Sequence, residues 1–237
     1  MIKEKYIQLC LARQFGGINV IEIYNRWQQA TNNKQQTTIL ILKGNNMKWL
    51  YENWYKSTIF LAVYMLIISC VFVIKTDFAL FLIWIQTVVY LFHQFEEYIL
   101  PGGFVEFFNK KVLGSMKSDF PLDKKASFWI NIPIIFIAYP LSAILAGYVD
   151  ISIGIWTAYF SIINALSHVG MFFKYRYNPG FFVSLFLNIP IGIYTIYYFA
   201  SQNIISMNEQ LIGLIIGLLA QAVVMIYGFK VLKPKVN

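Results

Sequence analysis

Hydrophobic residues in this chain gather into six long runs, Ser57–Ile74, Phe78–Phe95, Ser127–Tyr148, Ile151–Phe173, Gly180–Ala200 and Leu211–Phe229. Short, more polar connections separate them. A helix needs about 20 residues to cross the hydrocarbon core of a bilayer, with about 17 as the lower limit. Lipid offers no partner to an unpaired backbone N–H or C=O, so each run is expected to be helical. The pattern predicts an all-α, polytopic membrane helix bundle of about six transmembrane helices. Two runs are broken by polar clusters, His93-Gln94-Phe95-Glu96-Glu97 in the second and Asn164-Ala165-Leu166-Ser167-His168 in the fourth. Carboxylates and imidazoles are costly at membrane depth and face a bundle interior or a water-filled cavity, which marks both clusters as candidate functional groups.

Charge sets the orientation. The chain has 19 Lys and Arg against 11 Asp and Glu. Its basic residues crowd before Ser57, at Lys110, Lys111, Lys117, Lys124 and Lys125, at Lys174 and Arg176, and at Lys230, Lys233 and Lys235; the opposite loops carry only Lys75. This alternation is the positive-inside bias, and it predicts an N-in/C-in protein of the cell membrane. The basic excess reflects orientation and contact with anionic membrane lipid, not nucleic acid. Cys10 and Cys70 lie in different surroundings and form no metal-type or redox-type spacing.

Residues 1–46 differ from the rest. They are polar, rich in Gln and Asn around Gln28–Thr38, and lack a signal-peptide core. A short amphipathic helix is expected around Ile18–Trp27. Met47-Lys48-Trp49-Leu50 reads as a membrane-protein start, so residues 1–46 are expected to be a polar cytoplasmic segment or a non-native extension, and residues 47–237 the membrane domain.

With this topology the second and fourth runs both travel inward, so the two clusters meet near the cytoplasmic face. His168 lies about 8 Å from the end of its run at Phe173, taking 1.5 Å per residue. Residues three and four apart share a helix face, so Glu96 and Glu97 straddle the face of His93, and Asn164 stacks with His168. Gln86, Asn131, Asn188 and Gln221 supply single polar groups that fit interhelical hydrogen bonds.

The pentad His93-Gln94-Phe95-Glu96-Glu97, the Asn164…His168 pair and the turn Tyr177-Asn178-Pro179-Gly180 together resemble the HXXEE domain family of small integral membrane proteins, over roughly Lys56 to Lys230. The resemblance implies a functional site, in a family presumed enzymatic, and leaves the reaction open.

The nitrogen and oxygen groups suit a divalent metal such as zinc, manganese or iron. The order is similar to the inverted zinc-peptidase pattern H-x-x-E-H, with Glu97 in place of the last histidine. By that analogy His93, Glu97 and His168 would hold the metal and Glu96 would act as general base toward water. The plainer reading is a hydrogen-bonded His–Glu pair satisfying buried polarity. Asn164 is a candidate for binding substrate or orienting His168, or else an interhelical bond. Pro179 and Gly180 make a turn, and Tyr177 and Asn178 are candidates to contact a polar headgroup.

Between the second and third runs, Phe104, Phe107, Phe108 and Val112 recur opposite Glu106, Lys110 and Lys111, as in a helix lying in the interface, a peripheral anchor or else a lid. Trp49, Trp54, Tyr55 and Trp129 fit an interfacial belt. The expected function is a metal-dependent hydrolase or transferase acting on a lipid or another amphipathic substrate. The alternatives are a proton- or cation-coupled transporter and a non-catalytic scaffold. Oligomeric state is not legible.

Overall fold

The computed structural model describes residues 20–236, and these are helical with turns between. The chain divides into two units between Leu50 and Tyr51. In the first, α1 (Val20–Asn53) begins; no proline breaks it, and an exposed Arg26–Glu22 pair at 2.8 Å braces one turn. This helix is far longer than the one expected around Ile18–Trp27, and Ile18 lies outside the described residues. Backbone hydrogen bonding through the polar Gln- and Asn-rich stretch needs no apolar face, which is why the periodicity missed it.

The second unit contains α2 (Thr58–Ile68), α3 (Phe78–Tyr98), α4 (Phe104–Phe107, prolonged by a π turn to Leu113), α5 (Lys124–Tyr148), α6 (Trp156–Tyr175), α7 (Phe181–Ser201) and α8 (Met207–Lys235). Five helices among the described residues are long and apolar enough to cross a membrane: Asn46–Val73, Phe78–Tyr98, Lys124–Tyr148, Phe181–Ser201 and Met207–Lys235. They mark a multi-pass membrane protein. The fourth expected run corresponds to a 3-10 turn at Ile151–Gly154 followed by α6, which is 20 residues long and stands outside those five. Its inward positions carry Thr157, Ser161 and His168, all buried, and this polarity lowers its mean hydropathy.

Small residues and amides hold the helices together. A Cβ at Gly213 would come within 2.5 Å of Ile155, and one at Gly217 within 2.9 Å of the Phe160 backbone, so this GxxxG pair lets α8 approach α6 closely. Gln86 Nε2 donates to Thr195 Oγ1 at 2.8 Å, tying α3 to α7, and Asn188 Nδ2 donates to Ser161 Oγ at 2.8 Å, tying α7 to α6. Asn131 Nδ2 donates to Tyr98 Oη at 3.0 Å, joining α5 to α3. Trp54, expected in the interfacial belt, packs against protein and not outward. It is buried against Tyr98 and Phe136, because the rings of α3 and α5 leave a slot its size.

Candidate metal centre

The site is built where α3 ends, α6 passes and α7 begins. His93 and Glu97 are one turn apart on α3, and His168 faces them from α6, with the two imidazole rings 4.7 Å apart and nearly perpendicular. All three side chains are buried. Glu97 Oε1 lies 3.5 Å from His93 Nε2 and 3.4 Å from His168 Nε2, and one ligand atom from each of the three residues falls within 4.8 Å of the others. Two ligands about 2.0–2.2 Å from a tetrahedral ion stand roughly 3.3–3.6 Å apart, so the N···O separations match those around such a centre. The group is close enough to hold a metal ion.

Neighbouring side chains fix the orientation of each group. Asn178 Nδ2 donates to the His168 backbone carbonyl at 2.9 Å, leaving Asn178 Oδ1 to meet His168 Nδ1 at 2.7 Å. That arrangement puts the ring proton on Nδ1 and turns the Nε2 lone pair toward Glu97, as a metal-binding histidine requires. Gln94 Nε2 donates to Glu97 Oε2 at 2.9 Å and leaves Oε1 pointing at the histidines. His93 Nδ1 lies 3.3 Å from Ser184 Oγ, while His93 Nε2 is buried with no hydrogen-bond partner. Lone pairs converging on a carboxylate oxygen repel unless a cation or proton lies between them.

Gly180 closes the site from α7. Its φ is +95°, and a Cβ there would meet His93 at 2.8 Å, His168 at 2.9 Å and Glu97 at 3.0 Å. The turn glycine is therefore also a wall of the site.

Glu96, the expected general base, sits against the start of α7. One of its oxygens accepts from the Val183 N–H at 2.7 Å, and the other from the Phe182 N–H at 3.1 Å and the Tyr177 hydroxyl at 3.2 Å. The first turn of α7 has no cap from its own side chains, since Gly180 occupies the N-cap. A carboxylate from α3 fills that place and meets the positive end of the helix. Burial first, and then the Glu96 charge, push the Tyr177 hydroxyl above its ordinary pKa, so it stays protonated and donates. Through both oxygens Glu96 positions the start of α7. Replacing Glu96 with Ala should leave two part-buried N–H groups without their acceptor, at about 1–3 kcal/mol each. At roughly 2–4 °C per kcal/mol the thermal midpoint should drop by about 4 °C or more. Glu96→Gln, which keeps one acceptor, should lose less, and metal content should persist in both. Loss of metal with an unchanged midpoint would return Glu96 to the centre.

The remaining candidates separate by position. Tyr177 is partly exposed and Asn178 is fully buried, so Asn178 orients His168 and is not open to a headgroup. Asn164 does not bond His168; its Nδ2 donates to Gln221 Oε1 at 3.3 Å, its Oδ1 is buried without a partner, and the residue lines a cavity of about 80 Å³. Gln94, Glu97 and His168 line the same cavity, and Phe104 and Phe108 cover it. Thus α4 roofs the site rather than lying apart from it. Buried Asn109 fastens this roof, accepting from Leu122 N–H at 2.9 Å and donating to the Ser118 and Leu122 carbonyls.

Sequence reasoning missed Gln94, Ser184 and the packing role of Gly180. Gln94 had a local signal, its three-residue spacing from Glu97; Ser184 and Gly180 had none, because their roles depend on how α7 meets α3.

No curated protein and no solved structure matches the chain. Residues 84–195 match the model of a family described as "Protein of unknown function with HXXEE motif", a narrower stretch than the expected Lys56–Lys230 that nevertheless contains all three candidate ligands, and by this match the chain carries the HXXEE domain.

Proposed function

We propose that this protein is a membrane-embedded, metal-dependent hydrolase or transferase acting on a lipid or another amphipathic substrate near the cytoplasmic face of the cell membrane. The observation that carries the reading is the set of N···O separations of 3.4–3.5 Å around Glu97 Oε1, with an unpartnered His93 Nε2 beside it. His93, Glu97 and His168 would hold the ion, and zinc, manganese and iron all suit two imidazoles and a carboxylate. Bound there, a divalent metal would supply Lewis-acid polarisation of a carbonyl or phosphoryl oxygen and an activated water. Asn178 and Gln94 hold two of the ligands in orientation, Phe104 and Phe108 exclude bulk water, and Asn164 offers an acceptor to the substrate. Among the described residues the buried ionisable histidines and carboxylates cluster at one place, with only amides and hydroxyls elsewhere in the bundle, which favours a reaction site over a transporter. Elemental analysis of purified protein should find about one tightly held divalent metal per chain. A metal-replete preparation with none would overturn the reading.

Six crossings with both termini inside follow from the loop charges, with α6 as the sixth span. Met116, 95% exposed, and Tyr148, 89% exposed, lie on opposite sides in this topology. With the native cysteines replaced by serine, an impermeant maleimide on intact cells should label a Tyr148→Cys protein and spare a Met116→Cys protein. The reverse pattern would invert the topology.

A further inference from the structure

A second depression lies beside the candidate centre. It is a groove of about 270 Å³ between α5 and α8, and Trp129, Pro133, Val223 and Tyr227 are among its lining residues. Both helices are membrane spans by length and composition, and Trp129 and Val223 are 54% and 65% exposed, so in a bilayer the groove opens to lipid, with Trp129 toward its interfacial end. The groove and the cavity share three side chains, Ile130, Ile134 and Val224, which therefore stand between them. Helical regularity fails on both sides of this partition, in the π turn Ile132–Ala138 that contains Pro133 and in the π turn Tyr227–Leu232. Such irregular turns interrupt the regular i→i−4 ladder and are often found at functional sites. Behind the partition, Gln94 and Asn164 line the cavity, and Gln94 Oε1 and Asn164 Oδ1 are buried without hydrogen-bond partners.

These observations meet in one ligand. We propose that a single-chain lipid with a hydroxyl- or amide-bearing head reaches the centre laterally, its chain lying in the groove between α5 and α8 and its head passing the Ile130, Ile134 and Val224 partition. The chain is required by a groove walled with aliphatic and aromatic groups and open to the bilayer. The donors are required by Gln94 and Asn164, which an ester lacking any O–H or N–H would leave unpaired. Access from the side also avoids the roof made by Phe104 and Phe108. This assignment rests on the reading of the cluster as a reaction site and names its substrate class.

The test uses the full-length protein in liposomes with a monoacylglycerol carrying a diazirine in its chain, and adducts located by mass spectrometry. Adducts should concentrate on Ile130, Ile134, Val223 and Val224. Unlabelled monoacylglycerol should displace the probe at concentrations at least tenfold below the methyl ester of the same chain. Val224→Trp and Ile134→Trp, each checked for unchanged helical circular dichroism, should remove the adducts, and either variant suffices. Adducts spread equally over lipid-facing Phe60 and Leu219, or unmoved by both tryptophans, would overturn the groove; equal competition by the methyl ester would overturn the head. His168→Ala separates this proposal from the metal reading, because the adduct pattern should survive in it whatever its metal content. Adducts lost from wild-type protein that still holds metal count against the groove alone.

Discussion

Replacing His168 with Ala should empty the centre of metal, because it removes one of three protein ligands and leaves two groups on a single helical turn. Asn178→Ala should act more mildly. It removes the partner of His168 Nδ1 at 2.7 Å and frees the ring to rotate, and loss of such an outer partner lowers metal affinity about 10–100-fold. His93→Ala and Glu97→Ala should match His168→Ala. Competition against a chelator of known affinity would read the series, with the three ligand variants at the bottom, Asn178→Ala between, and wild type highest. Equal affinity across all five proteins would leave the His–Glu cluster as a hydrogen-bonded pair and would favour the scaffold alternative.

Gly180→Ala should damage stability and metal content together. The new methyl would stand 2.8–3.0 Å from all three candidate ligands, and the backbone at φ +95° disfavours any Cβ. Overpacking costs about 1–3 kcal/mol and the left-handed backbone about 1–2 kcal/mol more. The thermal midpoint should therefore drop by roughly 4–20 °C at 2–4 °C per kcal/mol. Gly103→Ala is the control. Gly103 has a similar φ of +89°, but a methyl there would meet nothing within 4 Å, so that variant should show the backbone share of the loss and keep its metal. If Gly103→Ala proved as harmful as Gly180→Ala, backbone strain and not crowding of the ligands would be the cause.

The sequence made the helices legible because lipid leaves a chain few choices. The expected second run, Phe78–Phe95, and the observed α3, Phe78–Tyr98, begin at the same residue. The third run, Ser127–Tyr148, lies within α5, Lys124–Tyr148. The meeting of His93, Glu97 and His168 was also legible, since two helices travelling in the same direction bring their polar clusters to one depth. What local spacing could not decide was the division of labour between Glu96 and Glu97. Neighbouring residues point about 100° apart on a helix, so one faces α6 and the other α7, and only the position of the α7 start tells which carboxylate has which duty. The expected fourth run shows the converse. In α6, polar residues such as His168, which signal a site, also weaken the hydropathy that would identify the helix as a span.

The cap that Glu96 provides has a consequence for biogenesis. Its backbone partners, Phe182 and Val183, are made more than eighty positions after it. While the ribosome is still completing α6, α3 carries a carboxylate meant for the bundle interior without the helix end that will receive it. Until α7 emerges, that end of α3 has reason to stay near the watery interface, and its final seating coincides with the closing of the HXXEE segment around Gly180. The Glu96 end of α3 and the start of α7 should therefore reach their final positions together, after α7 has been made.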